Sequence, residues 1–151
     1  MNIKELKPKY GGRYSQGYIN PESCKKLFPE LQHDKIIYRS SYEKKFILWL
    51  ENCKMVKHWG SECVCIPYRS VLDNKVHRYY ADYFVELVNG ECWVVEIKPF
   101  NQTHPPVNES NQWAVREYAK NKCKWNATME FCKDKGYKFR IFTEKTINKL
   151  P

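Results

Sequence analysis

Residues 79–98 read YYADYFVELVNGECWVVEIK, and their pattern is the strongest indication of the fold in the sequence. Aromatic and β-branched residues fill both halves and an Asn-Gly pair lies between them, which predicts two antiparallel strands joined by a tight turn. Asp82 and Glu96 interrupt these apolar halves, where a carboxylate is disfavoured unless it is paired or faces solvent. Lys98 follows at the next position on the Glu96 face. Two acids and a lysine in adjacent strands therefore indicate a polar site.

The length of the turn decides whether Asp82 and Glu96 share a face of the sheet, because side chains alternate between faces along a strand. A two-residue loop, Asn89-Gly90, would pair Asp82 with Ile97 and separate the two acids. A three-residue loop, Val88-Asn89-Gly90, with the glycine left-handed, pairs Asp82 with Glu96. We predict the three-residue register, or a strand bulge with the same effect.

A helix precedes this hairpin. Apolar residues recur at helical spacing after Ser40 and predict a helix over 41–54. Glu43 lies on the same stripe, so it either points inward or folds back onto the Ser40 N–H as the acid of a capping box. Taken alone, the capping role is the simpler interpretation of Glu43.

The remaining pattern predicts an α/β fold with the element order α-β-β-β-α-β, which describes a mixed four-stranded sheet flanked by helices. A polar loop over 101–110 follows the hairpin. Asn111 caps a helix that we expect to break near Asn121, to resume and to end at Gly136. The expected strands span 63–68, 76–87, 91–98 and 137–142, and a short terminal helix capped by Thr143 spans 143–150.

The paired carboxylates predict a divalent-metal site, because two acids at hydrogen-bonding distance cannot both stay ionised cheaply without a cation between them. Mg²⁺ is the natural occupant, and Mn²⁺ is a close substitute. Its ligands would be Asp82, Glu96 and the Ile97 carbonyl, and Glu43 would complete the site or hold a water. The metal would polarise a scissile phosphate while Lys98 orients the attacking water or neutralises developing charge. An ordinary exposed lysine at a strand end is the alternative for Lys98.

The chain as a whole has the size and charge of one nucleic-acid-binding domain. Its 151 residues suit a single domain, and 26 Lys and Arg against 17 Asp and Glu give a formal net charge of +9. Nucleic acid is the leading partner, with an anionic membrane second. No apolar run approaches the roughly 20 residues that span a bilayer, and the first residues lack the apolar core of a signal peptide. Seven cysteines without Cys-x-x-Cys spacing predict free thiols in a reducing compartment.

Residues 1–37 are basic, interleaved with tyrosines and broken by glycines and prolines, which predicts an N-terminal arm before a domain over 38–151. A short helix is expected after Asn20-Pro21. The arm either packs on the core or contacts a DNA backbone, and the composition supports both. The predicted DNA contacts are Arg13 in the arm and Lys44, Lys45, Lys75 and Arg78 beyond it.

Asp82 and then Glu96-Ile97-Lys98, after a helix-borne Glu43, resemble the motif of the PD-(D/E)XK nucleases, whose restriction-endonuclease-like core has the same element order. The acid-x-Lys part alone is common, whereas a longer run of motifs is more specific. Across 38–144 the chain is similar to the head-completion nucleases of T-even-type tailed bacteriophages, relatives of the transposon-end endonucleases. The run comprises Tyr38-Arg39-Ser40-Ser41-Tyr42-Glu43-Lys44, Trp59-Gly60-Ser61-Glu62, Ile66-Pro67-Tyr68, Tyr79-Tyr80-Ala81-Asp82, Glu96-Ile97-Lys98-Pro99, Pro105-Pro106-Val107 and Lys138-Phe139-Arg140-Ile141-Phe142-Thr143-Glu144.

This resemblance implies a Mg²⁺-dependent endodeoxyribonuclease that acts in phage head completion after DNA packaging. Glu43, Asp82, Glu96 and Lys98 all match the catalytic positions, and Ala81 stands where the motif's name has Pro without altering a ligand. The implied partners are DNA and phage head or connector proteins, and the implied locations are the host cytoplasm and the virion. Double-strand cutting would favour paired active sites and hence a homodimer.

Two other interpretations stay open. A non-catalytic head-completion protein that kept the nuclease fold would need only to bind DNA, although the intact metal ligands argue against it. A plain DNA-binding module would explain the lysines and arginines but would leave the three inward acids without a reason.

Overall fold

The computed structural model describes residues 5–6, 16–31 and 35–150. It contains nine strands and three α-helices within these ranges, together with short 3-10 turns. The strands are β1 (Glu5–Leu6), β2 (Gly17–Ile19), β3 (Ile36–Tyr38), β4 (Val56–Ser61), β5 (Cys65–Arg69), β6 (Val76–Tyr80), β7 (Tyr83–Leu87), β8 (Cys92–Ile97) and β9 (Lys138–Phe142). The helices are α1 (Ser41–Asn52), α2 (Gln112–Lys135) and α3 (Glu144–Ile147).

A mixed four-stranded sheet in the order β4-β7-β8-β9 forms the centre of the molecule. β4, β7 and β8 pair antiparallel, and β9 lies parallel to β8 after the α2 crossover. Parallel neighbours need such a crossover, and a helix usually provides it. The predicted α/β class, with a mixed four-stranded sheet flanked by helices, is confirmed.

The first strand of this sheet is not the predicted one. We expected 63–68, but β4 takes that place and pairs with β7. β4 hides its strand character because its burial does not alternate: Val56, Trp59 and Gly60 are buried, and a register shift lies between Val56 and His58. Such a bulge breaks the period of two from which strands are recognised.

The predicted long strand over 76–87 is also wrong. The chain leaves the β-conformation at Ala81 and Asp82, so β6 ends at Tyr80 and β7 begins at Tyr83. β6 pairs with β5 in a separate two-stranded sheet. The Glu62 N–H donates to the Asp82 carbonyl at 3.0 Å and thereby holds the break in place. The interruption therefore puts Asp82 at the start of a central strand.

Helix α2 is continuous over 24 residues, so the expected break near Asn121 is wrong. Asn121 and Trp125, with Thr128 and Cys132 after them, are buried at helical spacing and form the inward face of α2. Asparagine has a low helix propensity, but tertiary packing overrides it here. The Asn111 cap and the end at Gly136 are confirmed, with Gly136 left-handed at φ +74°.

The other predicted helices are confirmed with shorter bounds. α1 begins at Ser41 as expected and ends at Asn52 rather than at residue 54. α3 covers four residues after its Thr143 cap, where the prediction extended to residue 150. In none of the described ranges is a helix both long and apolar enough to cross a bilayer.

The described part of the predicted N-terminal arm is built into the core. β2 pairs with both β1 and β3, and the expected turn of helix after Asn20 is a 3-10 turn over Pro21–Ser23. The division of the chain between residues 37 and 38 stays a prediction. The core residues from this segment are Ile19, Cys24, Leu27 and Ile36.

The central sheet buries a different set of side chains on each face. Tyr83, Val85 and Val95 pack with α1 and the N-terminal strands in the larger core cluster. Val94 packs with β5, β6 and α2 in the second cluster, with Phe84 at its margin. Alternation along β7 and β8 assigns Asp82 and Glu96 to this second face.

Candidate active site

The β7–β8 hairpin has the register that brings the two predicted acids together. Tyr83 pairs with Val95, and the same register continued by one residue places Asp82 opposite Glu96. The Gly90 N–H donates to the Leu87 carbonyl at 3.0 Å, and Gly90 is left-handed at φ +88°. The three-residue loop is therefore confirmed, and the two acids share one face of the sheet.

Asp82 is tied to the neighbouring strand through its carboxylate. The Ile97 N–H donates a hydrogen bond of 2.7 Å to Asp82 Oδ2. Burial raises the pKa of Asp82 well above its ordinary value, and the negative charge of Glu96 raises it further, while the Ile97 N–H opposes both effects. The protein groups around Asp82 therefore do not fully compensate the negative charge of its ionised carboxylate.

Glu96 is 5% exposed and holds both carboxylate oxygens in defined contacts. The Tyr79 hydroxyl donates a hydrogen bond to Glu96 Oε2. Lys98 Nζ lies 3.2 Å from Glu96 Oε1, and both side chains of this ion pair are largely buried. Burial and the Glu96 charge raise the pKa of Tyr79 far above its ordinary value, so Tyr79 stays a hydrogen-bond donor.

Glu43 approaches the acids from the first turn of α1. Ser40 caps this helix by accepting from the Glu43 N–H at 3.1 Å, while Glu43 Oε2 accepts from the Arg39 N–H at 2.7 Å. The carboxylate thus reaches back one residue further than the capping box that we considered. Burial raises the pKa of Glu43, the Arg39 N–H opposes this, and the charges of Glu62 and Glu96 add to it.

The donor set at this site fits a hard divalent cation. Asp82 and Glu96 offer carboxylate oxygens beside each other, and the raised pKa of Asp82 shows that its negative charge is poorly neutralised. Among the described residues, no three His, Cys, Asp or Glu side chains converge as a metal cluster. A cation here would therefore rely on the two acids, a backbone carbonyl such as that of Ile97, and ligands from solvent or substrate.

Tyr79, Arg39 and Glu62 surround the acids, and no role was predicted for any of them from the sequence. Arg39 and Glu62 form an ion pair, and Glu62 has a positive φ of 50°. Tyr79 lies three residues before Asp82, but the break at residues 81 and 82 decides where its hydroxyl points. These residues lie inside the motifs that carry the family resemblance, and the sequence contains no other indication of their roles. The Arg39–Glu62 ion pair and the Tyr79–Glu96 hydrogen bond join separate elements, so they could not be predicted from local patterns.

Helix α2 brings further positive charge to this face of the sheet. Lys124 Nζ lies over the rings of Tyr79 and Tyr68, at 5.4 Å and 5.9 Å from their centroids. Burial lowers the pKa of Lys124, and the positive charges of Lys120 and Lys98 lower it further. Three lysines therefore lie close enough to repel one another beside the paired acids, and an anionic ligand would relieve that repulsion.

The predicted DNA-binding residues lie on separate elements. Lys45 donates to Asn148 Oδ1 at 3.1 Å, and Lys44 lies over the Tyr38 ring, both on α1. Lys75 and Arg78 are exposed on the turn and strand of the β5–β6 sheet. Arg13 lies outside the described residues. The DNA-binding roles of these residues stay predictions, as do the catalytic and metal-binding roles of Glu43, Asp82, Glu96, Ile97 and Lys98.

Comparison with known proteins agrees with this geometry. The family model of the TnsA-like endonuclease N-terminal domain matches residues 53–144, which run from the end of α1 to the start of α3 and include the β7–β8 hairpin and α2. The head completion nuclease of Enterobacteria phage T4 is 35% identical over 130 residues, covering 77% of this chain and 83% of the phage T4 protein. The fold, the paired acids at the hairpin and both matches lead to one conclusion: the chain belongs to the TnsA-like endonuclease family.

Proposed function

We propose that this protein is a Mg²⁺-dependent endodeoxyribonuclease that hydrolyses phosphodiester bonds at the site formed by Asp82, Glu96 and Lys98. The observation that carries the proposal is the pairing of the half-buried Asp82 with the buried Glu96 at one end of the hairpin, with Lys98 in contact with Glu96. Family membership supports the nuclease activity. The choice of Mg²⁺, with Mn²⁺ as a substitute, rests on the preference of such cations for carboxylate oxygen.

Asp82, Glu96 and the Ile97 carbonyl would hold the cation. When bound, it supplies positive charge to the scissile phosphate and acidifies the attacking water. The protein prepares this site by fixing both acids before substrate arrives. Asp82 is held by the Ile97 N–H, and Glu96 is held by the Tyr79 hydroxyl. Such preorganisation removes the cost of arranging the ligands during the reaction.

Lys98 acts on the reacting groups from a fixed position. Its ion pair with Glu96 aligns the ammonium next to the acids, where it orients the attacking water or neutralises charge that develops on the phosphate. Glu43 adds a third carboxylate at the edge of the site, where it orients a water molecule. This role uses the oxygen of Glu43 that the Arg39 N–H does not occupy.

The biological setting that we propose is phage head completion. The relative from phage T4 is named a head completion nuclease, and the two chains overlap over most of their lengths. The protein would then act on packaged DNA in the host cytoplasm, bind head or connector proteins and accompany the virion. Lys44, Lys45, Lys75, Arg78 and Arg13 would contact DNA phosphates, and a homodimer would cut both strands of a duplex.

Plasmid cleavage tests the proposal. Wild-type protein should cut supercoiled and linear plasmid with Mg²⁺ or Mn²⁺ but not with EDTA. We expect Asp82→Ala and Lys98→Ala to lower the rate by at least about 100-fold, the range for removing a group that stabilises the transition state. Lys138→Ala is the matched control, because Lys138 is also a strand lysine paired with a glutamate, at 3.1 Å from Glu91, yet lies away from the site.

The outcomes separate the two candidate functions. Metal-dependent cutting that is lost in both site variants and kept in Lys138→Ala supports the nuclease and its residues. Tight DNA binding without cutting under any metal would instead favour the non-catalytic head-completion protein. Cutting that survives Asp82→Ala would place the chemistry elsewhere on the chain.

A further inference from the structure

A second concave feature adjoins the acids and is not used in the mechanism above. It is a cleft of about 620 Å³ between residues 100–108 and the N-terminal half of α2, and we call it the α2 cleft. Lys98 lines one end of it, so the cleft opens directly beside the proposed reacting position. Its size lies within the range of small-molecule sites.

Aromatic side chains line both walls of the α2 cleft. Trp113 lines it and is 71% exposed, which is unusual for the largest apolar side chain. Phe100 lies against His104 in a tilted arrangement, with 4.6 Å between ring centroids, and Tyr118 lies five residues after Trp113 on α2. An exposed ring such as that of Trp113 is a stacking surface on which proteins hold unpaired bases.

A buried amide also faces this space. Asn121 lines the cleft and is 6% exposed, and the described part of the chain gives its side chain no hydrogen-bond partner. Among the described residues, the buried side-chain polar atoms without a partner are the indole nitrogens of Trp49 and Trp125, so the Asn121 amide is open to the cleft. An amide offers both a donor and an acceptor, which is what the edge of a nucleobase requires.

The charge around the cleft suits a nucleic-acid backbone. Glu117 is the acid that lines it, and Lys120 Nζ neutralises Glu117 at 2.8 Å. Lys98, Lys120 and Lys124 lie close enough that the first two lower the pKa of the third. Positive charge beside an exposed aromatic ring is the combination that binds single-stranded nucleic acid.

We propose that the α2 cleft binds an unpaired nucleobase next to the scissile phosphate, with stacking on Trp113 and hydrogen bonding to Asn121. DNA with unpaired nucleotides at the cut, such as a frayed end or a flap, is then the preferred substrate class. This inference rests on the proposed nuclease function and specifies its substrate. The lysines beside the cleft favour an anionic ligand over an apolar protein segment.

DNA binding in EDTA tests the cleft without requiring catalysis. The probes are a fluorescently labelled thymidine oligonucleotide and a blunt duplex of equal length, measured by anisotropy. We expect Trp113→Ala to weaken binding of the oligonucleotide about tenfold, as for loss of one base–aromatic stack, and to leave duplex binding within about twofold. Trp113→Phe should restore most of the affinity, because phenylalanine keeps a stacking surface.

Val115→Ala is the matched control. Val115 is 39% exposed on the same helix and does not line the cleft, so its loss should change neither affinity. Because Trp113 is largely exposed, Trp113→Ala should fold normally, which circular dichroism checks. Asn121→Ala provides a second variant, and it should weaken binding of an oligonucleotide with purines more than it weakens duplex binding.

Each result decides one of the two proposals. Equal loss of oligonucleotide and duplex binding in Trp113→Ala, or no loss of either, would overturn the cleft proposal. The cleft proposal is supported if Trp113→Ala loses oligonucleotide binding selectively and the wild type cleaves flapped DNA faster than blunt duplex. Selective loss of binding in a protein that never cuts DNA would keep the cleft and refute the nuclease function.

Discussion

Asp82 is the residue at which stability and chemistry conflict most directly. A site that must attract a cation concentrates negative charge that folding alone would avoid, and the raised pKa of Asp82 reports this conflict. The pKa of Glu43 is also raised by burial, but the Arg39 N–H and the charge of the Arg39 side chain oppose this rise. The acids are therefore expected to destabilise the metal-free protein and to gain stability when a cation binds.

Replacing Asp82 by Asn should raise the free energy of unfolding in EDTA while abolishing cleavage. Asparagine keeps an oxygen that can accept from the Ile97 N–H, but it carries no charge beside Glu96. Because folding raises the pKa of Asp82, the folded state binds this proton more tightly. The bound proton therefore stabilises the folded protein below the ordinary aspartate pKa of about 4. This stabilisation is lost as pH rises through the pKa of Asp82 in the folded state.

Urea unfolding measured in EDTA across pH checks this sign. The stability gain of Asp82→Asn over wild type should grow as pH rises from about 4. Asp73→Asn is the control, since the Lys75 N–H lowers the pKa of the exposed Asp73 and its replacement should give no gain. A wild type that is more stable than Asp82→Asn at neutral pH would contradict the predicted strain at the site.

At the scale of elements, the β7–β8 turn determines whether a site exists at all. The three-residue loop depends on one residue with a positive φ, and the pairing of Asp82 with Glu96 follows from that loop length. A second element, α2, spans the face on which the acids lie and provides the lysines beside them. The site is thus a product of one turn and one crossover helix.

We expect Gly90→Ala to lower the free energy of unfolding by about 1–2 kcal/mol, because a Cβ disfavours the left-handed conformation at φ +88°. No neighbouring atom would contact the new Cβ, so the cost is conformational rather than steric. Gly90→Asn should cost less, since asparagine tolerates this conformation better. Denaturant unfolding of both variants is the measurement. Equal stability of Gly90→Ala and wild type would show that the loop adopts another conformation.

For the whole molecule, one buried carboxylate joins segments that are distant in sequence. Glu51 on α1 is 4% exposed and accepts from the N–H groups of Lys25 and Lys26 at 2.7 Å and 2.9 Å. It also accepts from Trp59 Nε1 on β4 at 2.8 Å. The described N-terminal segment, the first helix and the edge of the sheet therefore meet at a single side chain.

Glu51→Ala should lower the free energy of unfolding by about 3 kcal/mol or more, because it leaves several buried donors without an acceptor. Glu51→Gln keeps one acceptor oxygen and should cost less. Glu22→Ala is a suitable control, since Glu22 is an exposed acid in the same N-terminal segment. Thermal and urea unfolding should remain a single transition in the wild type. A loss below about 0.5 kcal/mol for Glu51→Ala would mean that the N-terminal segment does not depend on this contact.

The class of fold and the four residues of the proposed site could be predicted from the sequence, and the hairpin register could be narrowed to two alternatives. These features are local: they follow from alternation along strands, from the chemistry of a Gly-containing turn and from acids in apolar runs. The motif run over residues 38–144 added the family, which the comparisons confirm.

Three features could be known only from the packed molecule: the strand that borders β7, the continuation of α2 through Asn121, and the side chains that hold the acids. β4 has no clean alternation, and Asn121 is a poor helix former whose burial favours the helix. The contacts of Tyr79 with Glu96 and of Lys124 with Tyr79 join separate elements. Such contacts depend on how the elements pack, and local sequence patterns carry no information about that packing.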